Sequence, residues 1–266
     1  MMRIRIFKSL WGMTEGATPA DKLRLIADAG YDGVEFDPPD IPPAAWRDLC
    51  AEHGLDYIAA IYSLTADEFE INLRRAAEYG PIQVNAQTGR DKYAFDDACA
   101  YFARALAVEA DLGIPVAHET HRHRMLYTPW ATARYLERFE NLKLCADFSH
   151  WVLVTESRLA DVDDLLELAI SRSIHIHARV GHEEAPQVSD PRAPEFAPYV
   201  ELFEAWWERI RAARAGQNAT DLTITPEYGP PNYLPTLPHT REPVANLWDV
   251  CRWGADRIRD RWRTSG

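Results

Sequence analysis

The feature that most constrains the fold is a repeated unit in which a helix ends at a glycine and a short apolar strand follows. Its first four copies contain helices predicted at 19–29, 43–53, 66–79 and 93–112, which end at Gly30, Gly54, Gly80 and Gly113. Glycine is favoured just past a helix because it adopts a left-handed backbone without steric cost. Repeated strand–helix units indicate a parallel sheet with the helices packed outside it.

The pattern continues to the end of the chain and predicts a closed sheet. Strands are predicted at 4–10, 31–37, 55–62, 81–89, 114–120, 142–148, 173–180 and 221–227. Further helices are predicted at 129–138, 158–170, 196–214 and 242–262. Eight strands and eight helices are the composition of a (β/α)8 TIM barrel, and the length of 266 residues is typical of one. We therefore expect a single α/β domain, a TIM barrel, over residues 1–266.

The alternative fold is an open doubly wound sheet, which would carry a glycine-rich phosphate-binding loop after its first strand. Residues 8–18 occupy that position and have the sequence KSLWGMTEGAT. They contain neither GxGxxG nor GxxxxGK, and this disfavours the open sheet.

Four residues whose side chains can bind metals or carry protons lie at or near the ends of predicted strands five to eight. They are Glu119, Asp147, His177 and Glu227. The carboxyl ends of barrel strands meet on one face, and neighbouring strands are about 4.8 Å apart, so we expect these side chains to converge. Three carboxylates and one imidazole favour Mn²⁺ or Mg²⁺, with Co²⁺ or Zn²⁺ as alternatives. Without a cation the carboxylates would repel one another.

Weaker candidates for substrate binding surround these four residues. They are His150, three residues after Asp147; His175 and Arg179, on the same strand face as His177; His121 and Arg122, which follow Glu119; and Glu35 and Gln87, near the ends of the second and fourth strands. Trp11, Trp151 and Tyr228 could stack on a sugar ring, but core packing explains them equally well. The long loops 181–195 and 228–241 are predicted to cover the site.

Composition excludes some partners. The net charge of −12 disfavours nucleic acid, whose binding depends on clustered Lys and Arg. The four cysteines are far apart and form no CxxC pair, which is typical of free thiols in a reducing cytoplasm. The N-terminus lacks a long apolar segment, and no stretch approaches the roughly 18 apolar residues of a membrane span. We therefore expect a cytoplasmic protein with no membrane partner.

Several short motifs together resemble the xylose isomerase-like TIM barrels, the sugar phosphate isomerase/epimerase superfamily, over nearly the whole chain. They are GVEF at 33–36, Glu119 after an apolar strand, DxxH at 147–150, HxH at 175–177 and PEYG at 226–229. The resemblance implies a divalent ion held by Glu119, Asp147, His177 and Glu227. It also implies that the two glutamates act as acid and base on substrate, and that His150 contacts substrate.

The chain departs from this family pattern after the metal histidine. Many members have HxxD there, whereas this chain has His177-Ala-Arg-Val180. The missing acid removes a usual contact, and Arg179 suggests that a different oxygen is recognised. Another branch of the superfamily comprises apurinic-site endonucleases with three zinc ions, but the acidic composition of this chain argues against that branch.

These observations lead to a primary hypothesis and several alternatives. The primary hypothesis is an enzyme that isomerises or epimerises a ketose or related polyol derivative by proton transfer through an ene-diolate. The same enolate chemistry would suit a keto-sugar lyase or dehydratase if the substrate has a leaving group. A non-catalytic sugar-binding barrel and a nucleic-acid phosphodiesterase are the more distant alternatives. Barrels of this kind are often dimers or tetramers, but no interface stripe is visible in the sequence.

Overall fold

Eight parallel strands close into a barrel in the order of the chain. A computed structural model describes residues 2–263. The strands are β1 (Arg3–Ser9), β2 (Gly33–Phe36), β3 (Asp56–Ser63), β4 (Gln83–Thr88), β5 (Val116–Glu119), β6 (Leu144–Ala146), β7 (Ser173–His177) and β8 (Asp221–Thr225). Closure is made by β1 and β8, which pair in parallel from Arg3 opposite Asp221 to Ile6 opposite Ile224. The predicted TIM barrel is confirmed.

Nine α-helices are described within residues 2–263. They are α1 (Pro19–Asp28), α2 (Pro43–Glu52), α3 (Ala66–Glu78), α4 (Phe95–Leu112), α5 (Pro129–Arg138), α6 (Phe148–Thr155), α7 (Asp163–Arg172), α8 (Ala197–Gly216) and α9 (Leu247–Arg263). Local signals set several of their ends. Thr18 and Thr65 form capping boxes at the starts of α1 and α3, and Gly113 ends α4 with a φ of 65°.

The prediction of eight helices was wrong, because α6 was missed. This short helix begins directly after Asp147, whose carboxylate accepts a hydrogen bond from the backbone N–H of Ser149 and so caps it. Its sequence, FSHWVLVT, is mostly apolar and buried, and so short a segment does not show a helical period. The starts of α7 and α9 were also predicted about five residues too early.

The barrel interior is polar where it approaches the carboxyl ends of the strands. Buried side chains there include Asn85, His175 and Thr223, and the Nδ1 atom of His175 lies 2.7 Å from the Oγ1 atom of Thr223. At the opposite end Arg5 lies over the ring of Phe7 and forms an ion pair with Asp56. The apolar core lies between the outer strand faces and the helices. Polar side chains are thus concentrated beneath one face of the barrel.

Within the described residues, every helix is too short or too polar to span a bilayer.

Candidate metal and active site

The carboxyl ends of the last four strands bring Glu119, Asp147, His177 and Glu227 together. One potential ligand atom from each lies within 4.8 Å of those of the other three. Glu119 and His177 are the last residues of β5 and β7, Asp147 directly follows β6, and Glu227 lies two residues beyond β8. The side chains of the first three are buried, and that of Glu227 is 13% exposed. The cluster therefore contains three carboxylates that are largely shielded from water.

The ring of His177 points one nitrogen into this cluster. Its Nε2 atom lies 2.8 Å from the Oε1 atom of Glu35, so it donates its hydrogen to that carboxylate. Its Nδ1 atom is buried without a hydrogen-bond partner and lies 3.2 Å from Glu227 Oε2 and 3.4 Å from Glu119 Oε1. A neutral imidazole held this way presents a lone pair to the carboxylates, which is the arrangement of a metal-ligating histidine.

Glu35 fixes the orientation of the His177 ring through this hydrogen bond. Its carboxylate accepts hydrogen bonds from Asn85 Nδ2 at 2.5 Å and from Thr225 Oγ1 at 2.5 Å, and it is almost fully buried. His175 lies one layer deeper in the barrel, with its Nε2 atom 3.3 Å from Glu35 Oε2. It is fully buried and does not line the cavity described below, whereas Glu35 does.

Glu119 and Glu227 differ in their affinity for a proton. Burial by itself would raise the pKa of Glu119, but the nearby His121, His177 and Arg179 lower it to about 2. Burial, assisted by the negative charges of Glu119 and Glu35, raises the pKa of Glu227 to about 7. Two carboxyl groups in one site thus hold their protons very differently, which is a common property of acid–base pairs.

His177 is also perturbed in the direction expected beside several acids. Burial would lower its pKa, but Cys145, Glu227 and Glu35 hold it well above its usual range. A divalent cation could neutralise the same carboxylates in place of the proton that His177 would otherwise bind. The orphaned Nδ1 atom and the three carboxylates therefore fit a hard divalent ion such as Mn²⁺ or Mg²⁺.

Among residues 2–263, two other groups have potential ligand atoms within 4.8 Å of one another. One consists of Cys145, His175 and His177, and the other of Glu119, His121 and His150. Both nitrogens of His175 already contact oxygens of Thr223, Thr225 or Glu35, so the first group has little remaining ligand capacity. The four-residue group combines the most ligands with an unpartnered nitrogen.

Arg179 is fully buried beside two of the four residues. Its Nη2 atom contacts Asp147 Oδ2 and lies 3.2 Å from both Glu227 Oε2 and His150 Nε2. The guanidinium carbon lies 4.9 Å from the ring centre of Tyr233. The predicted candidates His150 and Arg179 thus lie next to Asp147.

A histidine pair extends the site toward the loops. The rings of His121 and His150 have centres 3.8 Å apart, and the Nε2 atom of His121 lies 3.3 Å from the Tyr233 hydroxyl. Arg122 lies over the ring of Tyr233 at 4.8 Å. Sequence reasoning predicted that the loop 228–241 covers the site but did not single out Tyr233. Its only signal was an aromatic residue in a proline-rich loop after the last strand.

A cavity of about 300 Å³ opens beside the four-residue cluster. Among the residues that line it are Trp11, Tyr62, Gln87, Glu119 and Glu227. Of the predicted aromatic residues, only Trp11 lines this cavity. Trp151 and Tyr228 are buried in the core, where Trp151 donates a hydrogen bond to a backbone carbonyl and Tyr228 accepts one from a backbone N–H.

Comparisons with known proteins place this geometry in context. The sequence profile of a family described as xylose isomerase-like TIM barrel matches residues 23–186. This segment contains Glu119, Asp147 and His177, whereas Glu227 lies beyond it. No functionally curated protein sequence matches the chain significantly.

Solved structures with the same fold are named for several different activities. An AP endonuclease, family 2, from Brucella melitensis has a TM-score of 0.63 and 16% identity, covering 96% of this chain and 99% of its own. A probable 3-DHS dehydratase, AsbF, from Bacillus anthracis has a TM-score of 0.61 and 14% identity over 96% and 98%. A sugar phosphate isomerase/epimerase from Parabacteroides distasonis has a TM-score of 0.61 and 11% identity over 95% and 93%. At these identities the likeness establishes the fold and leaves the reaction to be argued from the site.

Proposed function

The chain belongs to the xylose isomerase-like TIM barrel family, and from this premise we propose that it is a divalent-metal-dependent isomerase or epimerase of a ketose or related polyol derivative. The observation that carries the proposal is the buried Nδ1 atom of His177, which has no hydrogen-bond partner and faces Glu119 and Glu227. With Asp147 these residues form a ligand set suited to a hard cation.

In this proposal Glu119, Asp147, His177 and Glu227 hold one divalent ion, most suitably Mn²⁺ or Mg²⁺. The ion would polarise a substrate carbonyl and stabilise negative charge on its oxygen. Glu35 fixes the ring of His177 by accepting the hydrogen of Nε2, so the other nitrogen remains free to bind.

The proton transfer is assigned to the two glutamates. Glu119, whose pKa is lowered to about 2, is the carboxylate that removes a proton from the carbon next to the carbonyl. The electron pair of the broken C–H bond forms a carbon–carbon double bond, and the π electrons of the carbonyl move to its oxygen, which gives an ene-diolate. Glu227 is assigned to return a proton to the carbon from its other side. Without an ion its pKa is raised to about 7, so of the two glutamates it is the one that takes up a proton more readily.

The cavity is consistent with a small polyhydroxylated substrate. Its volume of about 300 Å³ suits a small ligand. Trp11 and Tyr62 provide aromatic surface, while Asn85 and Gln87 provide amide groups that can bind hydroxyls. We propose a small sugar or sugar derivative as the only substrate, with no nucleic-acid or membrane partner.

A second candidate reaction is elimination by a keto-sugar dehydratase or lyase. The observation that favours it is the pair of His121 and His150 beside the proposed metal site, together with the Tyr233 hydroxyl. These groups can carry a proton to a departing oxygen after the proton next to the carbonyl has been removed. The two reactions share their first step and differ in whether the carbon–oxygen bond at the next carbon breaks.

The first experiment is the metal content of the purified protein, measured by mass spectrometry before and after chelation. About one Mn, Mg, Co or Zn per chain supports the site. Ketoses and keto-sugars are then incubated with the metal-loaded protein in D₂O and followed by NMR. Deuterium at one carbon of an intact skeleton supports epimerisation, whereas loss of water or an aglycone supports the lyase. Saturable binding without any exchange would instead indicate a non-catalytic sugar-binding barrel.

Glu227→Gln tests the assignment of the proton donor. We expect epimer formation to fall at least about 100-fold, because general acid catalysis typically contributes 10²–10⁴-fold. The variant should still fold, since glutamine fills the same volume. Glu184→Gln, on the exposed part of the loop after β7, is the matched control and should keep the wild-type rate. Wild-type epimerisation by Glu227→Gln would contradict the assigned role.

A further inference from the structure

Arg179 is a buried cation that uses one nitrogen to hold two of the proposed metal ligands. The residue is 1% exposed, and its Nη2 atom contacts Asp147 Oδ2 and lies 3.2 Å from Glu227 Oε2. These two carboxylates also belong to the four-residue cluster whose ligand atoms lie within 4.8 Å of one another. The guanidinium therefore places its positive charge against two carboxylates that a metal ion would also bind.

Both carboxylate oxygens of Asp147 are already engaged. Oδ1 accepts hydrogen bonds from the backbone N–H of Ser149 at 3.2 Å and from its hydroxyl at 2.5 Å, and Oδ2 accepts one from Arg179. The bonds from Ser149 also cap α6, so Oδ1 is held by the fold itself. Because Oδ1 already accepts two hydrogen bonds, an ion that binds Asp147 would take Oδ2, the oxygen that Arg179 contacts.

The remainder of the guanidinium is held by weaker contacts. Its Nε and Nη1 atoms have no hydrogen-bond partner, and its carbon lies 4.9 Å from the ring centre of Tyr233 and 5.9 Å from that of Trp11. Aromatic faces attract a cation without fixing its direction as a carboxylate does. Rotation about the side-chain bonds can therefore withdraw Nη2 while the guanidinium stays among these rings.

We propose that Arg179 and the divalent ion compete for Asp147 and Glu227, so that the arrangement with Arg179 paired and the arrangement with metal bound are alternatives. Arg179 is thus a positioning residue that sets metal affinity and neutralises the carboxylates when the ion leaves. Because two positive charges held against the same carboxylates repel each other, binding of one opposes binding of the other. This inference rests on the proposed function, since it requires the metal site.

The test compares Mn²⁺ binding by wild-type protein and Arg179→Met after chelation, using isothermal titration calorimetry and electron paramagnetic resonance. Methionine keeps most of the apolar stem and removes the charge. We expect Arg179→Met to bind Mn²⁺ at least about tenfold more tightly, which is within the usual range of coupling between sites. The metal-free variant should melt below metal-free wild type, and Mn²⁺ should raise its melting temperature more.

Arg209→Met is the matched control because it removes the same charge outside the barrel. Arg209 pairs with Asp163 and Glu167 and should leave Mn²⁺ affinity at the wild-type value. Equal or weaker Mn²⁺ binding by Arg179→Met would overturn the competition and leave the metal site standing. Failure of both wild type and variant to bind Mn²⁺ would overturn the proposed metal site as well.

A second measurement keeps the inference testable if Arg179→Met does not fold. Wild-type protein is crystallised after chelation and again with Mn²⁺. We expect the Nη2 atom of Arg179 to contact Asp147 Oδ2 in the chelated crystals and to lie beyond about 4 Å, the limit of an ion pair, in the Mn²⁺-loaded crystals. Contact between the same two atoms in both crystals would overturn the competition.

Discussion

At the scale of single residues, Glu35 shows how a group outside the proposed ligand set can control it. It lies on β2 and accepts the Nε2 hydrogen of His177, while Asn85 and Thr225 donate to the same carboxylate. His177 and Glu35 are 142 positions apart in the sequence, and barrel closure alone brings them together. A carboxylate behind a metal-binding histidine fixes its orientation and raises its basicity.

Glu35→Gln should therefore weaken metal binding without removing a ligand. We expect Mn²⁺ affinity to fall about 10- to 100-fold, the usual cost of losing such a supporting group, as measured by calorimetry. Asp37→Asn is the matched control because Asp37 lines the same cavity but makes no contact with His177. If both variants lost affinity equally, the total charge of the cavity rather than the hydrogen bond would explain the effect.

At the scale of elements, the loop after β8 packs closely against Trp11. A side-chain carbon added at Gly229 would lie 2.1 Å from the Cη2 atom of Trp11. Gln187, from the long loop after β7, binds both the N–H and the carbonyl of Gly229 at 2.7 Å and 3.2 Å. Trp11 in turn packs edge-to-face on Tyr233 with ring centres 4.9 Å apart. The two long loops and the loop after β1 are thus tied together beside the site.

Gly229→Ala should force Trp11 to move and lower stability. We expect a loss of about 1–3 kcal/mol in the free energy of unfolding, which is typical of overpacking, measured by urea denaturation. Gly216→Ala is the control, because a carbon added there meets nothing within 4 Å and alanine favours the end of α8. Equal midpoints for Gly229→Ala and wild type would show that Trp11 is not confined by this contact.

At the scale of the whole molecule, proton binding couples the site to stability. The raised pKa of Glu227, about 7, means that the folded protein binds a proton there which the unfolded chain releases above about pH 4.3. The raised pKa of His177 acts in the same direction at higher pH, since its contribution is lost as pH rises through the folded value. The lowered pKa of Glu119 has the opposite effect and stabilises the fold above about pH 4.3.

Chelated protein should therefore become less stable as pH rises from about 5 to 8. Over the same range Mn²⁺ should bind more tightly, because it has to displace fewer protons from Glu227 and His177. Melting temperatures across this range test the first expectation. Calorimetry in two buffers of different ionisation enthalpy counts the protons released on binding, and Glu227→Gln should release fewer. A proton count that is the same at both ends of the range would contradict the assignment.

The overall charge leads to a separate expectation about nucleic acid. With 41 acidic and 29 basic residues, the chain should be repelled by phosphate backbones. We therefore expect no cleavage of a duplex with an abasic site at low salt, with Mg²⁺, Mn²⁺ or Zn²⁺ present, as followed by gel electrophoresis. Cleavage would favour the endonuclease activity named for one of the structures with this fold.

The barrel and the strand ends that could form a site follow from the amino-acid sequence alone. The glycine that follows several helices and the short apolar strands are local signals, and parallel strands present their carboxyl ends on one face wherever the sheet closes. For this reason the sequence alone predicts that Glu119, Asp147, His177 and Glu227 converge. Their roles as ligands and proton carriers remain predictions.

The placement of the other side chains around these four residues depends on the folded structure. Arg179 contacts Asp147 and Glu227, and its role in binding substrate remains a prediction. The helix α6 and the position of Tyr233 were not predicted. These outcomes depend on side-chain direction and loop path, which are set by contacts between residues far apart in the chain. Local sequence patterns do not contain that information.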